Sequence, residues 1–474
     1  MLSAKGKIMA DIKGNLRHMT GWLLIATIVY APWAYGCTRP ATILGLDGLM
    51  GAVILCWLLA LLAGRKAPVC PALMLGCVGW LLLQGWTMAF HERFLYSPET
   101  QMFHRNPAAI PFLPGSVDAK MVFQAMLRYT GLLGILIISA DLMEDVRWRM
   151  RVFYAFALTG LSIVLLGLIQ KVGGAKMVFW EAGRVSYTFF ATYVYHGNAG
   201  AYLNLVLPFL IGATVMALRN QEGEKAWGFW VPGTMLCIIS AFVNISKGAM
   251  VIAILILGLS AWGFASLGGR AILAFMKRHR VVPLAAGFAI ILPIAIFFSS
   301  GTLRARWLQF FQQVGWDYPR YLTAKTCVQI IPQSGPFGFG PGTFEEIFPH
   351  YTNYLGNKIA GLWQYAHQDY LQMTIEWGWI GAVALGILLL GGMGIAIRQL
   401  FERKADASSQ DKIALFCTVL ALGGITLHAV IDFPLEIASL QFYVVIMLGI
   451  CWNSPRWLRT RLKAKRRELL VTSV

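Results

Sequence analysis

Charge is scarce in this chain. Only 13% of its 474 residues are charged, and acidic residues are the scarcer kind, 22 against 40 Lys and Arg. A soluble globular protein carries about 25% charged residues, so the shortage excludes a water-exposed globule of this length. Other absences narrow the field further. The eight cysteines, at 37, 56, 70, 77, 237, 327, 417 and 451, form no C-x-x-C pair and no metal-like spacing. Neither a disulfide framework nor a zinc site is expected from them, although Cys37 and Cys327 both fall in outward segments. No Gly-Lys-Ser/Thr follows the one glycine-rich stretch, which excludes a nucleotide P-loop. No internal repeat of the kind found in two-halved transporters is present. The net charge of +18 comes with no recognition motif, so nucleic acid is not the expected partner.

Apolar residues fill the space that charge leaves, at 57% of the chain. They gather in about twelve runs near the ~20 residues that carry a helix across the hydrocarbon core. The runs lie near 20–36, 41–63, 69–90, 122–142, 152–172, 198–217, 229–245, 248–266, 282–299, 377–397, 413–433 and 435–453. Helices are the expected spanning form, because lipid cannot satisfy free backbone groups. The expected fold is therefore an all-α polytopic membrane protein. It forms a single membrane domain over 1–474, with about twelve transmembrane helices.

The basic residues orient it. With an even number of spans and an inward N-terminus, the inner segments hold 26 of the 40 Lys and Arg. That is the positive-inside bias. Both termini are then cytoplasmic, and the tail 454–474, with seven basic residues from Arg456 to Arg467, suits anionic lipid. Lys5, Lys7, Lys13 and Arg17 precede the first run, which reads as an uncleaved start-transfer anchor.

Two outer loops break the apolar pattern. The first, 91–121, contains Pro98, Pro107, Pro111 and Pro114. The second, 300–376, is the largest polar interruption and carries aromatic residues throughout, so it is expected to be folded and functional. Within it Arg320, Ala324, Cys327, Val328 and Ile331 fall on one helical stripe, which Pro332 and Gly335-Pro336 stop. Arg320 then points inward from the end of the apolar face; otherwise it snorkels or pairs with Asp317. Gly338-Phe339-Gly340-Pro341-Gly342 follows. Such a stretch either cradles phosphate with its N–H groups or forms a structural turn, and the turn is the preferred reading.

The sharpest feature is His367-Gln368, then nine residues, then Gly378, two residues and Gly381. The segment leads from the outer loop into an apolar run, so His367 lies near the outer boundary of the membrane. An imidazole there can act as a general base or simply cap the helix. This pattern resembles the motif of the O-antigen ligase family, together with related O-antigen polymerases and protein O-oligosaccharyltransferases. The surrounding order is similar too: Arg320 on a helix, Pro332, the stretch from Gly338 to Phe344, then His367. The resemblance covers about 196–440 and reaches His428 and Asp432, which resemble the family's late His-x-x-x-Asp segment.

The resemblance implies a C-type glycosyltransferase architecture with a large helical extracytoplasmic loop, no cofactor and no required metal. The implied donor is a glycan on undecaprenyl pyrophosphate. The implied acceptor is a hydroxyl of lipid A–core, of a growing polymer or of a protein. By motif position His367 activates that hydroxyl and Arg320 holds the pyrophosphate. A second family arginine follows a Ser; here the place reads Ser246-Lys247-Gly248. Lys247 keeps the charge but lacks the bidentate fork, so it is either a phosphate ligand or a plain interfacial lysine.

The chemistry agrees with these roles. A departing pyrophosphate needs its growing charge stabilised, and arginine binds phosphate oxygens bidentately. His428 and Asp432 are spaced i, i+4 and are expected on one face of the eleventh run, as site support or as a helix lock. Arg128 lies about two turns into the fourth run, on its outer side, and either lines the cavity or snorkels. His196, Asn198 and Asn204 at the entry of the sixth run meet sugar or cap the helix. The expected partners are the lipid-linked glycan donor, its acceptor and membrane lipid. The expected location is a bacterial inner membrane, with the site on the periplasmic face. The reading of a different class, a transporter or flippase, predicts related halves and deep charges in several spans, and neither is evident.

Overall fold

The computed structural model describes residues 4–64, 68, 70–97, 99–100, 102–182, 186, 188–219, 226–278, 287, 291, 301, 304–305, 307–308, 318–352, 355–356, 359, 363–402 and 409–472. Within these the chain is almost entirely helical. The elements are α1 (Ala4–Trp33), α2 (Pro40–Gly64), α3 (Ala72–Phe90), α4 (Ala119–Leu142), α5 (Val146–Val172), α6 (His196–Arg219), α7 (Trp227–Val243) and α8 (Lys247–Arg278). After these come α9 (Pro319–Ser334), α10 (Phe344–Thr352), α11 (Asp369–Gly386), α12 (Gly392–Phe401), α13 (Ser409–His428) and α14 (Ala438–Thr472). A π turn at Ile387–Gly391 joins α11 to α12. The only sheet among the described residues is an antiparallel hairpin, β1 (Phe94–Ser97) with β2 (Met102–Arg105), in the first outer loop.

Eight helices among the described residues are long and apolar enough to cross a membrane. The chain is a multi-pass, all-α membrane protein. Of the apolar run 282–299, all but residues 287 and 291 lie outside the described residues. Helix α6 is at the centre: 83% of its spanning window is buried, against 33% for α2 on the periphery. It packs against α5, α7, α8 and α13. Close helix approach depends on small residues. At Gly160 of α5, for example, a Cβ would come 2.6 Å from Val206 of α6.

Several boundaries differ from the hydropathy reading. Helix α1 runs without a break from Ala4, because the basic residues ahead of the first apolar run are themselves good helix formers. The run 413–433 does not stay helical to its end: α13 stops at His428 and the chain turns through 429–433. Hydropathy measures apolarity alone and cannot see that turn. In α9 the buried residues are Thr323, Thr326, Cys327, Ile330 and Ser334, and Val328 is 57% exposed. The face that packs is thus rotated from the expected stripe, since outside lipid small polar residues pack as well as apolar ones. Pro332 sits inside the helix rather than ending it; Gly335, at φ +66, does that.

Candidate active site

His367 sits in the two-residue step before α11 with φ +53, a region few non-glycine residues adopt. Gln368 is the N-cap of α11, its Oε1 accepting from the Leu371 N–H at 2.6 Å. Asp369, fully buried, accepts from Leu435 N at 2.8 Å, and its own N–H donates to Ala429 O at 3.0 Å. These bonds tie the start of α11 to both sides of the turn between α13 and α14. They bring His367 against Asp432 from that turn.

His367 Nδ1 lies 2.9 Å from Asp432 Oδ1. Asp432 Oδ2 accepts from Tyr195 Oη at 2.9 Å, and the Tyr195 hydroxyl accepts from Arg320 at 3.0 Å. Arg320 also donates to Ile431 O at 3.1 Å and stands 4.0 Å from Asp432 Oδ2. Burial pushes the Asp432 carboxyl up, but the His367 hydrogen bond and then the Arg320 charge outweigh it and hold the group below the usual carboxylate range. Charged Asp432 can only accept, so His367 carries its proton on Nδ1 and turns a lone pair on Nε2 outward. No described residue bonds Nε2, and the side chain is 22% exposed. Burial pulls the Arg320 pKa down, while Asp432 and the neighbouring tyrosines raise it by more. A lone pair and a fixed cation, both partly exposed, thus gather around one carboxylate.

The cluster has an aromatic spine. Phe433 stacks on Tyr195 at 5.3 Å and on Tyr365 at 4.5 Å, and His367 stands edge-on to Phe433 at 4.7 Å. Trp363 closes the other side of the imidazole at 5.3 Å.

The rest of the histidine motif is scaffold. Gly378 breaks α11 at φ +64. A Cβ there would meet Gly338 N and Pro336 C at 2.4 Å, so only glycine fits beneath the glycine-rich stretch. That stretch spends its donors on α11: Phe339 N to Ile375 O, Gly340 N to Glu376 O, and Gly342 N and Phe344 N to the Glu376 carboxylate at 2.9 and 3.2 Å. Gln84 of α3 clamps the crossing by donating to Phe337 O and Trp377 O. The glycine-rich stretch is therefore a structural turn, with those N–H groups already engaged.

Lys247 opens α8 after a sharp bend in which Ile245 takes φ +58. The next residue, Gly248, lies against the turn after α13: a Cβ on it would be 2.5 Å from Ile431 and 3.8 Å from His428 Nε2. Lys247 thus starts its helix beside the segment that carries Asp432. His428 is fully buried, and its Nδ1 has no partner among the described residues. It ends α13, so His428 and Asp432 do not share a helical face; Asp432 instead engages His367, Tyr195 and its own Phe433 N–H. Arg128 lies away from this cluster, at a polar cavity beyond Tyr365. Asn204 donates to Ala249 O in the first turn of α8, and His196 O accepts from Asn244 in the bend before it, so both tie α6 to that corner. Asp317 lies outside the described residues.

A family model described as O-antigen ligase matches residues 232–386. This part of the chain is similar to the O-antigen ligase family. It contains Lys247, Arg320, His367, Gln368 and the glycine-rich crossing. No curated protein matches the chain. The match points to a glycosyltransferase-like enzyme in the membrane. Tyr195 and Asp432 lie on either side of the matched residues, so the cluster joins the matched segment to its flanking helices.

Sequence reading missed Tyr195, Phe433 and Tyr365. Their one signal was position: two precede the helices that begin at His196 and Asp369, and one follows Asp432. Aromatic residues at a membrane boundary ordinarily mark an interface belt, and nothing in their spacing shows that they stack on one another.

Proposed function

We propose that this protein moves a glycan from undecaprenyl pyrophosphate to an acceptor hydroxyl, that of lipid A–core being preferred, at the periplasmic face of the inner membrane. The single observation that supports it best is the contact of His367 Nδ1 with Asp432 at 2.9 Å while Arg320 joins the same carboxylate through Tyr195. In this reading the acceptor hydroxyl binds at His367 Nε2 and gives it a proton as the oxygen attacks the anomeric carbon. The bond from that carbon to the pyrophosphate oxygen breaks, and the electron pair leaves with the pyrophosphate. Arg320, with Lys247, meets the charge that develops there. Asp432 holds the imidazole in the tautomer that accepts a proton and stabilises the imidazolium that follows. The proton then passes to water, and the product lipid leaves along the membrane.

An apolar groove of about 280 Å³ between α4, α11 and α14 offers hydrocarbon a place beside the site; Leu133, Leu136, Met373 and Leu448 are among its walls. The test is the lipopolysaccharide profile of a deletion strain carrying wild type or His367→Ala. Bare core with accumulated lipid-linked polymer, relieved only by wild type, is the expected result. Core bearing a single repeat unit would make the enzyme a polymerase. An unchanged profile would move the acceptor to a protein or another exported glycan. Full rescue by His367→Ala would overturn the mechanism.

A further inference from the structure

A second polar cavity, of about 220 Å³, opens on the far side of the aromatic spine from Arg320. Its walls include Arg128 and Gln124 of α4, Gln364 and Tyr365 of the loop before α11, and Glu436 and Gln441 near the start of α14. Three of these present unsatisfied atoms: Arg128 Nε, Glu436 Oε1 and Gln441 Oε1 are all buried without a hydrogen-bond partner. Gln441 is only 8% exposed. Among the described residues, three polar atoms thus leave donor and acceptor capacity facing one cavity.

The cavity's chemistry selects a ligand. Amides, a guanidinium and carboxylates both donate to and accept from hydroxyl groups, and the faces of Tyr129 and Tyr365 give flat apolar walls. Glu345, Glu376 and Glu436 outnumber Arg128 in the lining, so an anionic ligand is disfavoured. Burial, and then the Glu376 charge, push the Glu436 carboxyl up, which equips it to donate as well as accept. The volume holds several waters but falls below the roughly 300 Å³ at which drug-sized sites begin, so it suits a single sugar ring.

Position supplies the role. The stack Tyr195–Phe433–Tyr365 has Arg320 bonded at its first ring, His367 edge-on to its middle ring, and the cavity at its last. The catalytic imidazole therefore stands between a cationic end and an end rich in carboxylates. We infer that the cavity bounded by Arg128, Tyr365, Glu436 and Gln441 is a binding subsite for one uncharged sugar of the acceptor, set back from the reacting hydroxyl. Its place on the acceptor rests on the transfer reading above; that an uncharged sugar binds there does not.

The experiment is saturation-transfer-difference NMR on the full chain in nanodiscs, with methyl β-glucoside, methyl β-N-acetylglucosaminide and glucuronate as probes. At least one neutral glycoside gives a signal, which falls at least fivefold in Gln441→Leu and in Arg128→Met and persists in His367→Ala. Glucuronate gives at most a fifth of it. Glu436→Gln, which keeps the shape, guards against misfolding; it retains the wild-type unfolding midpoint and weakens the signal. In transfer assays Gln441→Leu raises the acceptor KM about tenfold and leaves kcat within twofold. Neutral signals that survive in all three cavity variants, the absence of any neutral signal, or stronger binding of glucuronate would overturn the subsite. A KM effect confined to the donor would overturn its assignment to the acceptor. Sugar binding that behaves as expected in a protein without transfer activity would refute the transferase reading and leave the subsite standing.

Discussion

Helix α13 carries a carboxylate near each end of its roughly 30 Å length, and the two have opposite fates. Asp411, in its first turn, meets Arg149 of α5 at 2.7 Å, and the two side chains are 0% and 2% exposed. The guanidinium also donates to Met143 O at 2.6 Å. That end is sealed. Asp432, just past the other end, faces Arg320 at 4.0 Å, with the arginine 37% exposed and a tyrosine hydroxyl between them. Each joins an arginine to an aspartate more than a hundred residues away, so separation does not tell them apart. What differs is unused capacity. The sealed pair has been taken out of water and acts as a lock. The open pair keeps an exposed guanidinium and a free imidazole nitrogen, and so can receive something.

Four experiments test that contrast. The largest effect is expected from His367→Ala. Loss of a general base costs about 10²–10⁴ in rate, and the upper half of that range is expected, because the other imidazole near Asp432, His428, is buried. Single-turnover transfer from purified lipid-linked donor measures it; a rate within tenfold of wild type would erase the functional half of the comparison. Asp411→Ala comes second. It leaves the Arg149 guanidinium buried without its carboxylate, which costs about 3–5 kcal/mol. It should lower the thermal unfolding midpoint in detergent while transfer per folded molecule stays at the wild-type level. A catalytic defect in the folded fraction would show that the sealed end is not merely a lock.

Arg320→Lys is third. Lysine keeps the charge and loses the fork, so a loss of about tenfold to a hundredfold in transfer is expected, with the unfolding midpoint nearly unchanged. A large stability loss instead would make Arg320 a structural partner like Arg149. The smallest effect concerns acid. Because Asp432 is held below the usual carboxylate range, its charged form contributes stability that is fully present above its unfolded pKa of about 3.9. That contribution is lost as pH falls through the folded value. Unfolding midpoints of wild type and Asp432→Asn should differ by a constant amount between pH 7 and 5 and converge below about 4. A gap that does not narrow in acid would mean that the Asp432 charge adds no stability.

Much of the site was legible in advance, and the reasons for the gaps are physical. The segment from His367 to Gly381 stood out because its residue types are unusual beside an apolar run. Yet only His367 belongs to the cluster: Gln368 caps a helix, and Gly378 makes room for the glycine-rich crossing. Spacing cannot separate a reacting group from its scaffold, since both must be fixed in place. The expectation that His428 and Asp432 share one helical face failed for a related reason. It assumed that an apolar run stays helical, and the turn after His428 sends the carboxylate to His367, 65 residues away.

Composition placed this chain in lipid, as helices, with its unusual polar residues in the loops between them. Those properties depend on apolar windows of about 20 residues, long enough for a helix that satisfies its own backbone in hydrocarbon. The tertiary structure alone decided which of those polar residues meet. Tyr195, Arg320, His367 and Asp432 come from four segments, and their hydrogen bonds form only when the ends of α6, α9, α11 and α13 close on one another. Such contacts have no local period for a sequence to carry, because each partner sits at a break in its helix, where the repeating geometry that makes a sequence readable stops.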